Sequence, residues 1–208
     1  MRRKIISLIL IFNSFLLTSQ LKSPESFFGY ELGTYFNLHH QLLDYFSHLE
    51  KNSEFLKIIP YGKSNEGREL QLVFISDRKN LENLEEIRLS HLKNSGSIKG
   101  PKNEYKSIVW LSYNVHGNES SSSEASVKTA YDLITKHTKW LLDTIVIIDP
   151  CVNPDGRDRY VNFYKQNGGI PYDTNQNSIE HDEPWHNGRT NHYAFDLNRD
   201  WAWVTQTE

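Results

Sequence analysis

The apolar positions of this 208-residue chain fall into short clusters whose spacing predicts secondary structure. Between residues 33 and 50 apolar side chains recur at helical spacing, which indicates an amphipathic helix. Two short apolar runs, residues 55–59 and 70–75, flank a turn-rich segment at residues 61–68, and this pattern predicts a β-hairpin. Residues 81–92 predict a second helix.

The middle of the chain alternates predicted strands with predicted helices. Unbroken apolar runs at residues 107–113 and 144–148 are typical of buried, adjacent central strands. Between them, residues 121–135 predict a helix, and Ser121 with Glu124 matches a capping box at its start. This alternation predicts an α/β domain with a mixed central sheet and helices on both faces.

The last quarter of the sequence changes character. Residues 156–193 are polar and rich in Asn, Gly and His, and we expect them to form a long loop. Structureless loops of that length in a compact domain usually carry function. Residues 194–204 are rich in aromatic side chains and predict a short return to regular structure.

The N-terminus has the features of an export signal. Residues 2–4 are basic, and residues 5–17 are mostly apolar but too short for a comfortable membrane span. We therefore predict a signal peptide at residues 1–20, a mature domain at residues 21–208 without a membrane span, and a secreted or periplasmic location. A buried N-terminal helix is the alternative interpretation.

Composition and charge narrow the class of protein. Hydrophobic residues make up 38% of the chain, which is typical of a globular domain, and the formal net charge is −3. The mature part contains no basic run, so we expect no nucleic-acid partner. The single cysteine, Cys151, excludes an internal disulfide and is interpreted as a small core residue. We expect a monomer.

A histidine and a glutamate three positions apart offer the first candidate chemistry. His116 and Glu119 follow one predicted strand directly and precede a predicted helix. In α/β proteins, ligand sites lie beyond the carboxyl ends of the strands. A neutral imidazole nitrogen and an anionic carboxylate oxygen are a common donor pair for catalytic zinc. The alternative is an exposed histidine beside a glutamate at a helix start.

Three further segments, together with this pair, point to a family. Residues 153–156, Asn-Pro-Asp-Gly, are turn formers at the end of a predicted strand. The chain resembles the zinc carboxypeptidases of the carboxypeptidase A type over about residues 30 to 208. The resemblance rests on four motifs that occur in the family's order: Gly62-Lys63-Ser64-Asn65-Glu66-Gly67-Arg68, His116 with Glu119, Asn153-Pro154-Asp155-Gly156, and Asp196-Leu197-Asn198-Arg199.

The resemblance implies a role for several residues. His116 and Glu119 would be two ligands of a catalytic Zn²⁺. Arg199, helped by Asn198, would hold the terminal carboxylate of a peptide or protein substrate, since a guanidinium offers a planar fork that matches a carboxylate. The alternative for Arg199 is a surface ion pair with a neighbouring aspartate.

A further arginine of the family polarises the carbonyl of the bond to be cleaved. We assign this role to Arg189, which lies in a glycine-containing turn shortly before Asp196. Arg157 and Arg159, next to the Asn-Pro-Asp-Gly turn, are the rival candidates. The chain departs from some relatives at Asn118, where those relatives carry arginine between the first two ligands.

The family's third zinc ligand, a histidine, and its general base, a glutamate, are expected beyond residue 208, so we interpret the sequence as a truncated catalytic domain. His181, His186 and His192 are interpreted as loop residues. The predicted activity is hydrolysis of the C-terminal peptide bond. The alternatives are a protein that binds peptide ends without cleaving them and a zinc-dependent amidohydrolase that removes acyl groups from amino acids.

Overall fold

The structure of the chain, a computed structural model, describes residues 20–102, 106–169 and 172–208. The helices are α1 (Pro24–Phe28), α2 (His39–Asn52), α3 (Arg78–Glu82), α4 (Leu84–Asn94), α5 (Ser121–Lys136) and α6 (Pro154–Asn167). The strands are β1 (Leu56–Lys63), β2 (Glu69–Ile75), β3 (Ser107–Ser112) and β4 (Thr144–Asp149). In these ranges no helix is long and apolar enough to cross a membrane. All but the last residue of the predicted signal peptide lies outside the described residues.

The four strands form one mixed sheet in the order β1–β2–β4–β3. β1 and β2 form an antiparallel hairpin whose register shifts between Pro60 and Gly62, where proline cannot donate to the ladder. β2 also pairs antiparallel with β4, whereas β3 runs parallel to β4. Because β3 and β4 are parallel neighbours, their carboxyl ends lie side by side at the same end of the sheet. The connection between them contains α5. The fold class predicted from the sequence, an α/β domain with a mixed sheet, is confirmed.

The main core lies between one face of the sheet and the helices α2 and α5. Side chains alternate between the faces of a strand, so Val73 and Ile75 of β2 share a face with Val146 and Ile148 of β4. These four side chains are buried against the apolar stripes of α2 and α5. The opposite face carries Trp110, which is 56% exposed.

The regular periodic segments of the sequence formed the predicted elements. The predicted hairpin is confirmed as β1 and β2, the strand of residues 144–148 as β4, and the helix of residues 121–135 as α5. The helix predicted within residues 33–50 is α2, which begins at His39. The helix predicted at residues 81–92 is divided into α3 and α4 at Asn83, whose φ of −118° interrupts the helical backbone.

The prediction that residues 107–113 form a buried central strand is wrong in one respect. β3 lies next to β4 as predicted, but it is an edge strand of the described sheet. Ile108 and Val109 are 40% and 42% exposed. An apolar run indicates a strand that can be buried on both faces, but it carries no information about whether a neighbour pairs with its second edge.

The prediction of a long loop over residues 156–193 is wrong for its first part, because α6 occupies residues 154–167. The described residues from 168 to 193 form a loop that contains one 3₁₀ turn, Ile179–His181. Asn153 is the N-cap of α6 and accepts a hydrogen bond from the backbone nitrogen of Gly156, while Pro154 takes the first helical position. Asn and Pro in this order start helices as well as turns, since the proline lacks a nitrogen proton that would be unsatisfied there anyway. The polar side chains of α6 concealed the helix because several of them are buried in ion pairs.

The predicted capping box at Ser121 is wrong as well. The N-cap of α5 is Ser120, and its side chain makes no capping hydrogen bond. Glu124 is 3% exposed and turns inward, where its carboxylate pairs with Arg157. Glu124 therefore pairs with a residue of α6 and does not cap the start of α5.

Candidate active site

The loop at residues 114–119, which we call the ligand loop, extends the parallel pairing of β3 and β4 beyond their ends. The backbone nitrogens of Val152 and Asn153 donate to the carbonyls of Tyr113 and Asn114 at 3.0 and 3.1 Å. Asn114 has a φ of +54°, a conformation that asparagine tolerates better than most residues and that turns the chain sharply away from the strand. The ligand loop is thereby fixed at the edge of the sheet where the strands end.

His116 and Glu119 point at each other from opposite ends of the ligand loop. His116 Nδ1 lies 3.0 Å from Glu119 Oε1. The imidazole is nearly buried, with 9% of its side chain exposed, whereas the glutamate side chain is 61% exposed. The carboxylate can therefore reach solvent or a ligand while the imidazole is held by its surroundings.

Asp196 holds the other side of the imidazole. Its Oδ1 atom lies 2.9 Å from His116 Nε2, and because a carboxylate can only accept, Nε2 carries the proton and donates it. Partial burial raises the pKa of Asp196. Hydrogen bonds from His116, Arg189 and the backbone of Asn198 outweigh that effect and hold the pKa below its usual range. The carboxylate stays ionised and fixes the tautomer of His116.

This tautomer makes the ligand loop suited to a cation. A proton on Nε2 leaves the lone pair of Nδ1 able to bind a cation, and Nδ1 lies 3.0 Å from a carboxylate oxygen of Glu119. Two donors of a tetrahedral zinc ion are about 3.3 Å apart at the usual bond lengths. A carboxylate on the outer nitrogen is also the common support of a metal-binding histidine. His116 and Glu119 therefore fit two positions of a zinc site.

Within the described ranges no group of three His, Cys, Asp or Glu side chains is arranged to hold a metal. The three loop histidines are engaged elsewhere. The ring nitrogens of His181, His186 and His192 contact Asp173 O, Asn191 O and Glu66 Oε1 at 2.7, 3.0 and 3.0 Å. None of these contacts reaches the ligand loop.

The structure separates the three candidate arginines. Arg189 donates from Nε and Nη2 to Asp196 Oδ2 at 3.2 and 2.9 Å, so it is tied to the carboxylate that holds the imidazole. Arg157 is fully buried in an ion pair with Glu124. Arg159 donates to the backbone carbonyls of Asn187 and Thr190, which stand on either side of Arg189 in the chain. Of the three, only Arg189 shares a partner with the imidazole ring of His116.

Asn198 and Arg199 lie on a short 3₁₀ turn, Leu197–Arg199, that Asp196 caps. Both are exposed. Among the described residues no carboxylate pairs with the Arg199 guanidinium, whose one hydrogen bond goes to its neighbour's carbonyl at 3.2 Å. Asp200, its other acidic neighbour, accepts hydrogen bonds from Thr205 and Gln206 instead. The guanidinium of Arg199 is therefore available to an external anion.

Three glycines allow the segments of the site to pack backbone against backbone. A Cβ atom on Gly117 would lie 2.1 Å from the carbonyl carbon of Gly156 and 2.4 Å from Gly188 O. A Cβ atom on Gly156 would lie 2.4 Å from the same oxygen. We call this contact the glycine junction. It joins the ligand loop, the start of α6 and the segment that leads to Arg189.

The turn at residues 61–68 braces the start of α6 and does not enter the site directly. Ser64 Oγ donates to Asp155 at 2.6 Å. Arg68 pairs with Asp155 and Asp158 at 2.7 and 2.8 Å. Asp158 in turn accepts from the backbone nitrogen of His39 at the start of α2. The turn therefore fixes the helix that carries one side of the glycine junction.

Asn114, Arg157 and Asp196 are the supporting residues that sequence reasoning missed. Asp196 stood in a recognised motif, but its role depends on a contact with His116, 80 residues earlier. Asn114 and Arg157 flank recognised motifs, but the spacing of residues within a motif does not predict which distant residues they contact. The glycine in each of the three segments was the only local signal of close packing.

The family model described as zinc carboxypeptidase matches residues 42–208. No curated protein matches the chain significantly. Among solved structures, the chain is similar to carboxypeptidase A from Helicoverpa armigera, with 21% identity and a TM-score of 0.45 over 59% of this chain and 25% of the other. It is similar to a metallo-carboxypeptidase from Burkholderia cenocepacia, with 20% identity and a TM-score of 0.42 over 78% and 31%.

Bovine thrombin-activatable fibrinolysis inhibitor is similar too, with 18% identity and a TM-score of 0.43 over 59% of this chain and 33% of the other. The chain thus spans between a quarter and a third of the length of these three proteins. Their TM-scores lie below 0.5, and the family assignment rests on the family model.

Proposed function

Because the chain belongs to the zinc carboxypeptidase family, we propose that it carries the zinc-binding and carboxylate-binding segments of an enzyme that hydrolyses the C-terminal peptide bond of peptides or proteins. One observation carries this proposal. His116 and Glu119 present two acceptors to one point, and Asp196, which holds His116, begins the turn that presents the unpaired Arg199.

His116, Glu119 and Asp196 would each have a separate role in holding a metal. His116 Nδ1 and Glu119 Oε1 would be the two donors of Zn²⁺, and Asp196 keeps the proton on His116 Nε2 so that Nδ1 stays free. Zinc in such a site supplies Lewis acidity, which polarises a carbonyl and lowers the pKa of water.

The two candidate substrate groups select chain ends and prepare the bond. Arg199 would bind the terminal carboxylate with two parallel hydrogen bonds, helped by the amide of Asn198, and so discriminate against chain interiors. Arg189 would direct its free N–H groups at the carbonyl oxygen of the bond to be cleaved. Its hold on Asp196 places it beside His116, where negative charge on that oxygen needs stabilisation.

A second function, binding of peptide ends without cleavage, is favoured by a different observation. Arg199 could bind a terminal carboxylate without any metal, since it lies on its own exposed turn. The two functions differ in turnover and share the requirement for Arg199.

Activity measurements on the full chain test the proposal. A peptide with a free C-terminus, the same peptide with a C-terminal amide and an N-acylated amino acid are offered to zinc-loaded protein. Release of the last residue from the first substrate alone, abolished by His116→Ala, is the expected result. Binding of the free-ended peptide without release supports the binding function. Deacylation of the third substrate as the main activity contradicts both and supports an amidohydrolase.

We place this enzyme outside the cytoplasm. The basic start and apolar run of residues 1–20 support export followed by removal of that segment. N-terminal sequencing of the native protein is expected to give a first residue near position 21 in the secreted or periplasmic fraction. Recovery of intact Met1 from the cytosol would contradict this location.

A further inference from the structure

Arg157 is buried at the centre of the fold, although its charge makes burial costly. None of its surface is exposed. All three of its nitrogens donate hydrogen bonds, Nε to Asn37 O at 2.9 Å, Nη1 to Asn114 Oδ1 and Ser120 O at 3.0 and 2.8 Å, and Nη2 to Glu124 Oε1 at 2.7 Å. The guanidinium therefore connects α6 to α5 and to the start of the ligand loop.

The ion pair with Glu124 offsets part of the desolvation cost of burying Arg157, but it does not by itself account for an arginine at this position. Glu124 is itself buried, and its two oxygens also accept from the backbone nitrogen and the amide of Asn37 at 2.7 and 2.9 Å. Buried ion pairs contribute little net stability compared with apolar side chains of the same size. What the planar fork of arginine provides here is a fixed direction for each of its hydrogen bonds.

Through its contact with Asn114, Arg157 determines which way the Asn114 amide faces in the ligand loop. Arginine can only donate, so the atom of Asn114 that faces it must be the oxygen, and the amide nitrogen must face the other way. Ser123 Oγ donates to the same oxygen at 3.0 Å. The amide nitrogen then donates to three backbone carbonyls of the ligand loop, those of His116 at 2.6 Å, Gly117 at 3.3 Å and Glu119 at 3.3 Å.

We infer that Arg157 is a positioning residue for the metal-binding pair: it orients the amide of Asn114, and that amide holds the carbonyls of His116 and Glu119 so that their side chains face one point. This inference rests on the proposed function. It assigns Arg157 a role different from the carbonyl-polarising one, which its complete burial precludes because no substrate atom can reach the guanidinium.

Zinc affinity of the full chain, measured by competition with a chelator, tests the inference. Arg157→Lys keeps the positive charge, but its single nitrogen cannot replace the three nitrogens that hold Asn37, Asn114 and Glu124 in fixed directions. Asn114→Gly leaves the ion pair intact, tolerates the positive φ and removes the amide. Each variant is expected to weaken zinc binding about tenfold or more, as supporting residues around metal ligands do. The absorption spectrum of bound Co²⁺ is expected to change in both, because the ligand geometry changes.

The double variant separates positioning from general stability. If Arg157 acts through Asn114, Arg157→Lys adds less than twofold to the zinc dissociation constant once Asn114 is glycine. Independent, multiplying effects would overturn the inference. So would a folded Arg157→Lys protein, or an Asn114→Gly protein, that binds zinc within twofold of the wild type. The Asn114→Gly result decides the matter even if Arg157→Lys does not fold.

A matched control and a test of the underlying function complete the design. Arg68→Lys also weakens an arginine that holds several partners, but its contacts are to Glu66, Asp155 and Asp158 and none is to the ligand loop, so zinc affinity is expected to fall much less than in Arg157→Lys. Equal losses in Arg68→Lys and Arg157→Lys would overturn the inference. Zinc binding by the wild type that His116→Ala leaves intact would instead overturn the proposed function, and the inference with it.

Discussion

His116 Nε2 donates to Asp196 Oδ1 across 2.9 Å, and this contact joins two motifs that stand 80 residues apart in the chain. One motif supplies the candidate metal donors, and the other supplies the candidate carboxylate-binding group. Because Asp196 also caps the turn that carries Arg199, the tautomer of the histidine and the position of the arginine depend on the same carboxylate. The proposed metal binding and the proposed recognition of a chain end thus depend on the same carboxylate.

Asp196→Asn tests this link. The amide can still contact Arg189 or His116, but it carries no charge and can present its NH₂ group to the ring, so His116 Nδ1 is no longer reserved for a metal. Zinc affinity is expected to fall about 10- to 100-fold by competition titration. Asp200→Asn, the same change on a carboxylate that contacts only Thr205 and Gln206, is expected to leave it unchanged. Equal affinities of the two variants would refute the role of Asp196.

Arg199→Ala is expected to raise KM for a peptide with a free C-terminus while kcat and zinc content stay close to wild type. A charged hydrogen bond of this kind contributes about 1.5–3 kcal/mol, which corresponds to about a 10- to 100-fold loss of kcat/KM. The fold should tolerate the change because Arg199 is exposed and pairs with no described carboxylate. Steady-state kinetics on the free peptide and its C-terminal amide check this. An equal loss on both peptides would contradict the assignment.

Gly117→Ala is expected to lower the free energy of unfolding by about 3 kcal/mol, because the new methyl group would meet backbone atoms that cannot rotate away. Gly62→Ala is the matched control, since a Cβ atom there meets nothing within 4 Å. Urea unfolding of the two variants measures the difference. Equal stability would show that the glycine junction is looser than its distances indicate.

Asp149 gives the protein a pH-dependent stability. Burial raises the pKa of its carboxyl to about 6, against smaller opposing effects of hydrogen bonds from Tyr61 and Cys151 N. The folded state therefore binds this proton more tightly than the unfolded state does, and the free energy of unfolding falls as pH rises from about 4 to 6. The difference reaches about 3 kcal/mol.

Asp149→Asn removes that ionisation and should retain an acceptor for Tyr61. Urea unfolding at several pH values should show the variant gaining stability relative to wild type as pH rises from 4 to 7. A constant difference across this range would show that Asp149 does not titrate there. Asp143→Asn, on an exposed carboxylate that contacts Lys106, provides the comparison.

Local patterns predicted the frame of the molecule and the positions of its motifs. The hairpin and β4 follow from short apolar runs, and α5 follows from the segment between the two parallel strands; β4 buries side chains on both of its faces. α6 was missed because Asn153 and Pro154 begin helices and turns alike, and its buried polar side chains removed the amphipathic signal. The exposure of β3 was missed because an apolar run indicates that a strand can be buried but does not predict whether another strand or helix covers it.

The candidate site could be predicted only as far as single segments reveal it. His116, Glu119, Asn198 and Arg199 stand in local motifs, and their types suggest their chemistry. The orientation of His116 depends on Asp196, and the shape of the ligand loop depends on Asn114 and Arg157. These contacts join parts of the chain that are distant in sequence, and spacing within one segment contains no record of them.

The glycine junction has a consequence for how the chain folds. Gly117, Gly156 and Gly188 come from segments separated by about 30 to 70 residues, and each close contact among them requires two of these distant segments to have docked. Closing loops of that length costs entropy before the contacts are gained, so such contacts form late. The hairpin of β1 and β2 joins neighbours and can form early. The ligand loop therefore acquires its shape at the end of folding, and the candidate donors His116 and Glu119 are organised only in a chain that is already nearly native.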